Sequence, residues 1–331
     1  MKKIIYIILI ISIFLVGCKN NEVKEKANET SNKIKSEESK KTSSENVVKN
    51  KVNIDIENTV SKLCSDEIGV RSVGEKGNEN ATKYVESLIK DIGLDYVFDN
   101  TYLNEFVFKD IEIGGKEKNT NINNIVGKIK GDNSKNAIVV TAHFDAYQKN
   151  VLDNASGVGT VLKIANTMKN DLGDKKLKQD LIFCMTNAEL NGFRGSENFI
   201  NDIKEKYDKI YNVNVDCIGL KTYGPLALKN ISKIDESEKL YLSIKNVLSE
   251  SDIEFVEEIS SEKIKKLLKN GLGASDYIAF EHAGYPNIHI AQSKLESLND
   301  RTNDGVETLD YDYLNKLAKT MSTWLEDFEI K

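Results

Sequence analysis

Three short runs, each followed by a helical pattern, constrain the fold of this chain more than any other feature. Residues 137–141 (AIVVT) and 181–185 (LIFCM) are continuous apolar runs of strand length, and residues 211–215 (YNVNV) form a third strand pattern. A continuous apolar run predicts a strand that is buried on both faces of its sheet. Apolar residues between 158 and 168 repeat at helical spacing instead. This alternation predicts an α/β domain with a largely parallel central sheet.

The same two periodicities continue through the rest of the chain. Helical patterns also occur at 60–64, 84–92, 196–206, 238–249 and 311–326, and strand patterns at 96–98, 106–108, 124–130, 253–257 and 287–291. No stretch between 54 and 331 has the composition of an interdomain linker. We therefore expect one domain, over residues 51–331.

The first 18 residues have the pattern of a targeting signal. Lys2 and Lys3 precede an apolar run over 4–16, which is shorter than the roughly 20 residues that a spanning helix needs. Residues 15–18, LVGC, overlap the end of this run and resemble the lipobox of bacterial lipoproteins. That resemblance implies a signal peptide at 1–17 and a diacylglyceryl group on Cys18, and two acyl chains anchor a protein stably. An uncleaved signal anchor is the alternative.

Residues 19–50 form a polar segment that precedes the predicted domain. They contain no Gly, Pro, Cys or aromatic residue and consist mostly of Lys, Glu, Asn, Ser and Thr. Such a segment buries too little apolar surface to offset its conformational entropy, so we expect a disordered tether over 18–50, with a solvated single helix as the alternative. Anchor and tether together predict a protein on the extracellular face of the cell membrane. The net charge of -6 argues against nucleic acid as the main partner.

Polar residues with metal-binding chemistry follow each of the three buried strands. His143 and Asp145 follow the first strand, Glu189 follows the second and Asp216 follows the third. Asp153 lies after the first strand as well, just before the helical pattern at 158–168. Ligands bind at the carboxyl ends of the strands in open α/β sheets. One imidazole and two carboxylates suit Zn²⁺ and leave a position for water, and a free Glu beside that water can act as general base.

Each of these residues also has a simpler interpretation. Asp153 alone favours a helix N-cap, His143 alone a structural histidine, and Glu189 and Asp216 alone solvated strand ends. Asp145, two residues after His143, could accept the other ring N–H and fix its tautomer. The convergence of all five at one edge of the sheet is what favours a metal site.

Seven segments, in order along the chain, resemble the motifs of the co-catalytic zinc aminopeptidases, a family that includes bacterial leucyl aminopeptidase, glutamate carboxypeptidase II and the glutaminyl cyclases. The segments are IGVRSVGEKGNENATKYVESLIKDIGL, HFDAY, LDNASGVGTVLKIA, NAELNGFRGS, NVDCIG, SDYIAFEHAGYP and LNDRTNDGVETLDYDYL. The resemblance implies a three-layer α/β/α sandwich with a mixed, largely parallel central sheet. It also implies a peptide substrate, attacked at its N-terminal peptide bond by a metal-bound hydroxide.

Roles follow from the same resemblance, residue by residue. It implies that His143 and Asp216 hold the first metal, that Asp153 bridges two metals, that Asp145 supports His143, and that Glu189 is the general base.

Two positions depart from the family's pattern. Leu190 stands where the family has an acidic ligand of the second metal, and Asp300 stands where it has a histidine. Leu190 cannot coordinate, so we expect one firmly bound zinc and a weak or absent second ion, with Asp153 and Asp300 as its remaining ligands. His289 could substitute as a ligand, although a core histidine is the simpler interpretation. His282 is expected to end a helix without a catalytic role.

Two functions remain open on these grounds. The retained Glu189 favours a working zinc metallopeptidase, an aminopeptidase anchored to the membrane. The loss of both ligands of the second metal favours a degenerate relative that binds peptides or a cell-surface partner. A solute-capturing lipoprotein would share the anchor but would not explain the metal-binding residues. Motifs of a nucleotide cofactor, a serine nucleophile or a phosphate loop do not occur.

Overall fold

The computed structural model describes residues 52–111, 117–222, 224–259, 273–293 and 305–331. The strands are β1 (Leu103–Ile111), β2 (Glu117–Ile129), β3 (Asn133–His143), β4 (Gln179–Thr186), β5 (Lys209–Asp216), β6 (Leu226–Asn230), β7 (Phe255–Ile259) and β8 (Asn287–Gln292). The α-helices are α1 (Ile56–Leu63), α2 (Lys76–Ile92), α3 (Ser156–Asp171), α4 (Arg194–Ile203), α5 (Glu236–Glu250), α6 (Tyr277–His282) and α7 (Tyr311–Asp327). The predicted signal peptide and tether, Cys18 and Asp300 lie outside the described residues.

The strands form one mixed sheet in the order β1-β2-β4-β3-β5-β8-β6-β7. Its four central strands, β4, β3, β5 and β8, are parallel to one another. Strands β1, β2 and β4 pair antiparallel, and β6 pairs antiparallel with β8 and parallel with β7. The predicted fold class is therefore confirmed.

Helices cover both faces of this sheet, which explains the continuous apolar runs. Successive strand residues point to opposite faces. Ile138 and Val140 of β3 belong to the larger core, with apolar residues of α1, α2, α3, α5 and α7. Ala137 and Val139 belong to a second core, with residues of α4 and α6. A strand between two apolar layers has no solvent-facing positions, so polar alternation disappears from its sequence.

Two features of the sheet differ from the sequence predictions. The pattern at 96–98 does not form a strand, because Asp95 and Phe98 make only isolated bridges, to Lys128 and Thr101, before the chain reaches β1. Strand β6 was not predicted because its pattern is broken by Lys229, which is nonetheless buried. Its ammonium lies 3.2 Å from Glu258 of β7, so an ion pair stabilises a charge inside the sheet.

The remaining predicted elements are present. Most of their ends shift by about four residues or fewer, whereas α2 (Lys76–Ile92) and β2 (Glu117–Ile129) begin well before the predicted patterns at 84–92 and 124–130. Helix α2 ends at Ile92 and is followed by Gly93 in the left-handed conformation, which glycine adopts without a steric penalty. No helix in the described ranges combines the length and apolar character that crossing a bilayer requires.

Candidate metal centre

The candidate site lies at the carboxyl ends of three neighbouring strands. Strand β3 pairs with β4 on one side and with β5 on the other, all in parallel. His143 is the last residue of β3, Asp216 is the last residue of β5, and Glu189 follows the end of β4 by three positions. Parallel pairing places these three chain segments at one edge of the sheet although they are distant in sequence.

The side chains converge on the His143 ring. Its Nε2 atom lies 3.2 Å from Asp153 Oδ1, 3.3 Å from Asp216 Oδ1 and 4.0 Å from Glu189 Oε2. Ligand atoms of His143, Asp153 and Asp216 all lie within 4.8 Å of one another, which is the spacing of a shared cation. The structure thus brings together three of the predicted ligands and places the predicted base beside them.

Asp153 is free to face this group because it does not cap the following helix. The residue at the N-cap position of α3 is Ala155, whose own side chain cannot cap the helix. The neighbouring Asn154 anchors the segment instead: its amide donates to the Val215 carbonyl, and its Oδ1 accepts from the N–H groups of Gly157 and Cys217.

Gly157 is required by this anchoring. A Cβ at position 157 would lie 2.3 Å from Asn154 Oδ1 and 2.7 Å from the Val215 carbonyl oxygen, closer than any side chain tolerates. The glycine of the LDNASG segment thus allows α3 to start directly against the end of β5, which keeps Asp153 near Asp216.

Asp145 contacts the His143 ring, and its nearest acceptor is its backbone carbonyl. The Nδ1 atom of His143 lies 3.1 Å from the backbone carbonyl of Asp145 but 3.6 Å from its carboxylate. The buried carboxylate accepts hydrogen bonds from the N–H groups of Glu189 (3.2 Å) and Leu190 (3.3 Å). Asp145 therefore orients the imidazole through its backbone and holds the Glu189 segment through its side chain.

A buried arginine braces the loop that carries these residues, and the sequence did not reveal it. Arg71 is fully buried and donates to the carbonyl oxygens of Phe144 (2.8 Å), Asn150 (2.9 Å) and Leu63 (2.9 Å). Two of these acceptors lie in the loop between His143 and Asp153. Arg71 falls within a predicted family segment, but sequence does not show that its partners are carbonyls.

A pair of asparagines braces the second segment in the same way. Asn78 of α2 and Asn187 exchange amide hydrogen bonds of 2.9 Å in both directions, two residues before Glu189. Gly195 packs against the same residue, since a Cβ there would lie 2.2 Å from the Asn187 carbonyl oxygen. This contact explains the second glycine, Gly195, of the NAELNGFRGS segment.

One further acid lies close to the site without a predicted role. Asp276 is fully buried at the start of α6, and one of its oxygens accepts from the Thr186 hydroxyl at the end of β4. Burial raises the pKa of Asp276 to about 6.

The other two histidines do not join the group. His289 is buried on β8, where its ring stacks on Tyr277 with centroids 4.7 Å apart and its Nδ1 faces the Asn214 amide at 3.1 Å. Burial lowers the pKa of His289 to about 3, so the ring is neutral. His282 is exposed at the last position of α6, the helix end at which it was expected.

The pKa shifts of the clustered side chains indicate that the group lacks positive charge. Burial by itself lowers the pKa of His143, but the carboxylates of Glu189 and Asp216 raise it well above its usual range. Burial raises the pKa of Glu189 well above its usual range, although the His143 ring opposes that shift. Burial would also raise the pKa of Asp216, but His143 holds it below its usual range.

The site therefore holds more negative charge than one imidazole balances, which favours a divalent cation. One imidazole nitrogen and two carboxylates are donors that zinc accepts, so the residues present fit that ion. An α/β sheet that presents such a donor group beside a buried Glu is typical of the metal-dependent hydrolases.

Comparison with known proteins is consistent with that class. Residues 124–325 match the model of Peptidase family M28, and this match spans more than half of the chain. The chain belongs to peptidase family M28, and it is a metallopeptidase-type hydrolase. No curated protein matches the sequence.

Solved structures share the fold at low sequence identity. A leucine aminopeptidase precursor from Bacteroides thetaiotaomicron is 15% identical, with a TM-score of 0.64, over 85% of this chain and 99% of that one. BSAP, a zinc aminopeptidase from Bacillus subtilis, is 14% identical, with a TM-score of 0.63, over 81% and 93%. A glutaminyl cyclase from Bacteroides thetaiotaomicron is 15% identical, with a TM-score of 0.63, over 85% and 100%.

Proposed function

We propose that this protein is a lipid-anchored extracellular aminopeptidase that uses one zinc ion. His143, Asp153 and Asp216 hold the ion, residues 51–331 form the catalytic domain, and residues 18–50 tether it to a lipid on Cys18. The observation that carries the proposal is the approach of Asp153 and Asp216 to within 3.2 and 3.3 Å of the same imidazole nitrogen. Aminopeptidases among the proteins of similar fold support the choice of substrate.

Zinc, when bound, would lower the pKa of a water to about 7 and polarise the scissile carbonyl. The other chemistry belongs to the chain's own residues. Glu189 is nine-tenths or more buried, beside the donor group, and its carboxylate is held 4.0 Å from His143 Nε2. In this position Glu189 takes a proton from the attacking water and returns it to the leaving amine.

A single ion is proposed because the position of the second ion's acidic ligand is aliphatic. Leu190 donates its backbone N–H to Asp145 and has no side-chain atom that can coordinate. The ligands left for a second ion are Asp153 and Asp300, two oxygen donors without an imidazole.

The test combines metal analysis with a panel of aminoacyl-arylamides. The purified protein is expected to hold about one zinc per chain after dialysis and to lose hydrolysis on chelation, with recovery when zinc is added. Glu189→Gln is expected to keep the zinc and to lose activity by about 10²–10⁴-fold, since general-base catalysis contributes that much. Glu250→Gln, an exposed change at the end of α5, is the matched control.

Other outcomes would replace parts of the proposal. Two firmly held ions would mean that other ligands replace the missing acid. Zinc binding without hydrolysis of any arylamide or peptide would favour the degenerate, peptide-binding relative. Absence of a diacylglyceryl group on Cys18 of the membrane-extracted protein, measured by mass spectrometry, would remove the lipid anchor.

A further inference from the structure

A lysine-rich surface lies at the end of the sheet opposite to the metal centre. Three loops lead into the amino ends of the parallel strands β3, β4 and β5, and together with the first residues of β3 and β5 they cover residues 130–135, 172–178 and 204–209. They are joined by backbone hydrogen bonds: Asp132 N–H donates to Leu177, and Asp208 N–H donates to Lys135. We call this continuous surface, made of the three loops, the basic pole.

The basic pole is strongly positive on a chain that is negative as a whole. It carries eight exposed lysines against four acidic residues, whereas the whole chain has a net charge of -6. The lysines are Lys130, Lys135, Lys175, Lys176, Lys178, Lys204, Lys206 and Lys209. The sign of the surface is thus opposite to that of the protein, which indicates an anionic partner.

Internal ion pairs neutralise only part of this charge. Lys176 lies 3.2 Å from Asp132, and Lys175 lies 3.5 Å from Glu326. Among the described residues, no carboxylate lies within ion-pair distance of Lys130, Lys135 or Lys178. Their ammonium groups are therefore available to a partner.

The N-terminal end of the described chain lies beside the basic pole. The Asn170 side chain, in the last turn of α3, donates to the Val52 carbonyl at 2.9 Å, and the loop 172–178 follows α3 directly. At its other end α3 begins three residues after Asp153. A helix of 16 residues is about 24 Å long. The tether therefore joins the domain at the basic pole, a helix length away from the metal centre.

We propose that the basic pole docks on an anionic lipid surface, that of the membrane to which the tether leads. This inference rests on the lipid anchor of the proposed function. Each lysine near an anionic membrane surface raises the binding constant roughly fivefold. The attraction acts over a Debye length, about 8 Å at physiological salt. Docking at this pole turns the metal centre away from the membrane, toward substrates in the medium.

The experiment uses the mature chain with Cys18→Ser, which cannot be lipidated, and vesicles of phosphatidylcholine with or without phosphatidylglycerol. Co-sedimentation is expected with the anionic vesicles only. It is expected to disappear between 0.1 and 0.5 M salt, because salt shortens the Debye length from about 10 Å at 0.1 M and so screens the attraction. Because the readout needs neither lipidation nor hydrolysis, its failure is distinct from failure of the proposed function.

Two triple variants with equal charge changes test the location. Lys130→Glu/Lys135→Glu/Lys178→Glu is expected to weaken binding to anionic vesicles at least tenfold. The control, Lys76→Glu/Lys221→Glu/Lys316→Glu, changes exposed lysines outside the basic pole and is expected to bind within twofold of the parent. Circular dichroism melts verify that both variants fold.

Three results would overturn the inference. The first is a folded parent that does not bind anionic vesicles. The second is equal weakening by both triple variants, which would mean that only net charge matters. The third is capture by soluble heparin without vesicle binding, which would indicate a polyanion other than a membrane.

Discussion

The buried Arg71 allows the support of the metal centre to be tested apart from its ligands. Its guanidinium makes three hydrogen bonds to backbone carbonyls, those of Leu63, Phe144 and Asn150. Two of these carbonyls belong to the loop that leads from His143 to Asp153. Replacing Arg71 with Met keeps an unbranched apolar stem of similar length and removes all the donors.

Two opposing terms determine the cost of Arg71→Met. Each buried carbonyl that loses its donor costs about 1–3 kcal/mol, and water cannot replace the donor without opening the fold, since Arg71 is fully buried. In the other direction, burying the Arg71 cation costs the parent several kcal/mol of desolvation, and the variant avoids this cost. We expect a net loss of about 3 kcal/mol in the free energy of unfolding, which leaves a typical domain folded.

The same change is expected to weaken zinc binding by about 10–100-fold, because residues that orient ligands contribute this much to metal affinity. Urea unfolding measures the first effect, and competition with a fluorescent zinc chelator measures the second. Arg71→Lys keeps the charge without the planar fork and should fall between the parent and Arg71→Met in both assays. Arg194→Met is the control, because Arg194 is exposed and pairs with Glu197 one helical turn away.

The bracing role of Arg71 fails if the free energy of unfolding of Arg71→Met lies within about 0.5 kcal/mol of that of Arg194→Met, which is the size expected for a surface change. It also fails if stability falls and zinc affinity does not change. That second result would mean that the loop between His143 and Asp153 keeps its geometry without the guanidinium.

Two further predictions concern residues around the site. Gly195→Ala should lower activity while zinc stays bound, because the added Cβ pushes on the Asn187 carbonyl and displaces Glu189; unchanged kcat in a variant with normal zinc content would contradict this. His289→Gln should flatten the pH dependence of stability. The folded pKa of His289 is about 3 against 6.5 for the free side chain, so its contribution is complete above pH 6.5 and is lost by about 1.4 kcal/mol per unit as the pH falls toward 3. Urea unfolding of both proteins between pH 7 and 5 measures the difference, and parallel curves would count against a neutral buried imidazole.

The local pattern of the sequence was sufficient for most of the fold. The strands at AIVVT and LIFCM were predicted because burial on both faces removes polar residues from a strand, and this signal is local. Strand β6 was missed because it contains the charged residue Lys229. Lys229 can be buried only because it pairs with Glu258, which lies on another strand. A pattern that depends on a distant partner is not visible in the segment itself.

The sequence also determined which residue types reach one edge of the sheet, because parallel strands end together. His143, Glu189 and Asp216 follow three such strands, and their meeting follows from topology alone. Only the tertiary structure decided how they meet: that Nε2 faces both aspartates, that Asp145 acts on the ring through its carbonyl, and that Arg71 holds the intervening loop. The physical reason is that helices and strands depend on neighbours in sequence, whereas distances of about 3 Å between side chains depend on register, helix packing and buried hydrogen bonds between segments far apart in the chain.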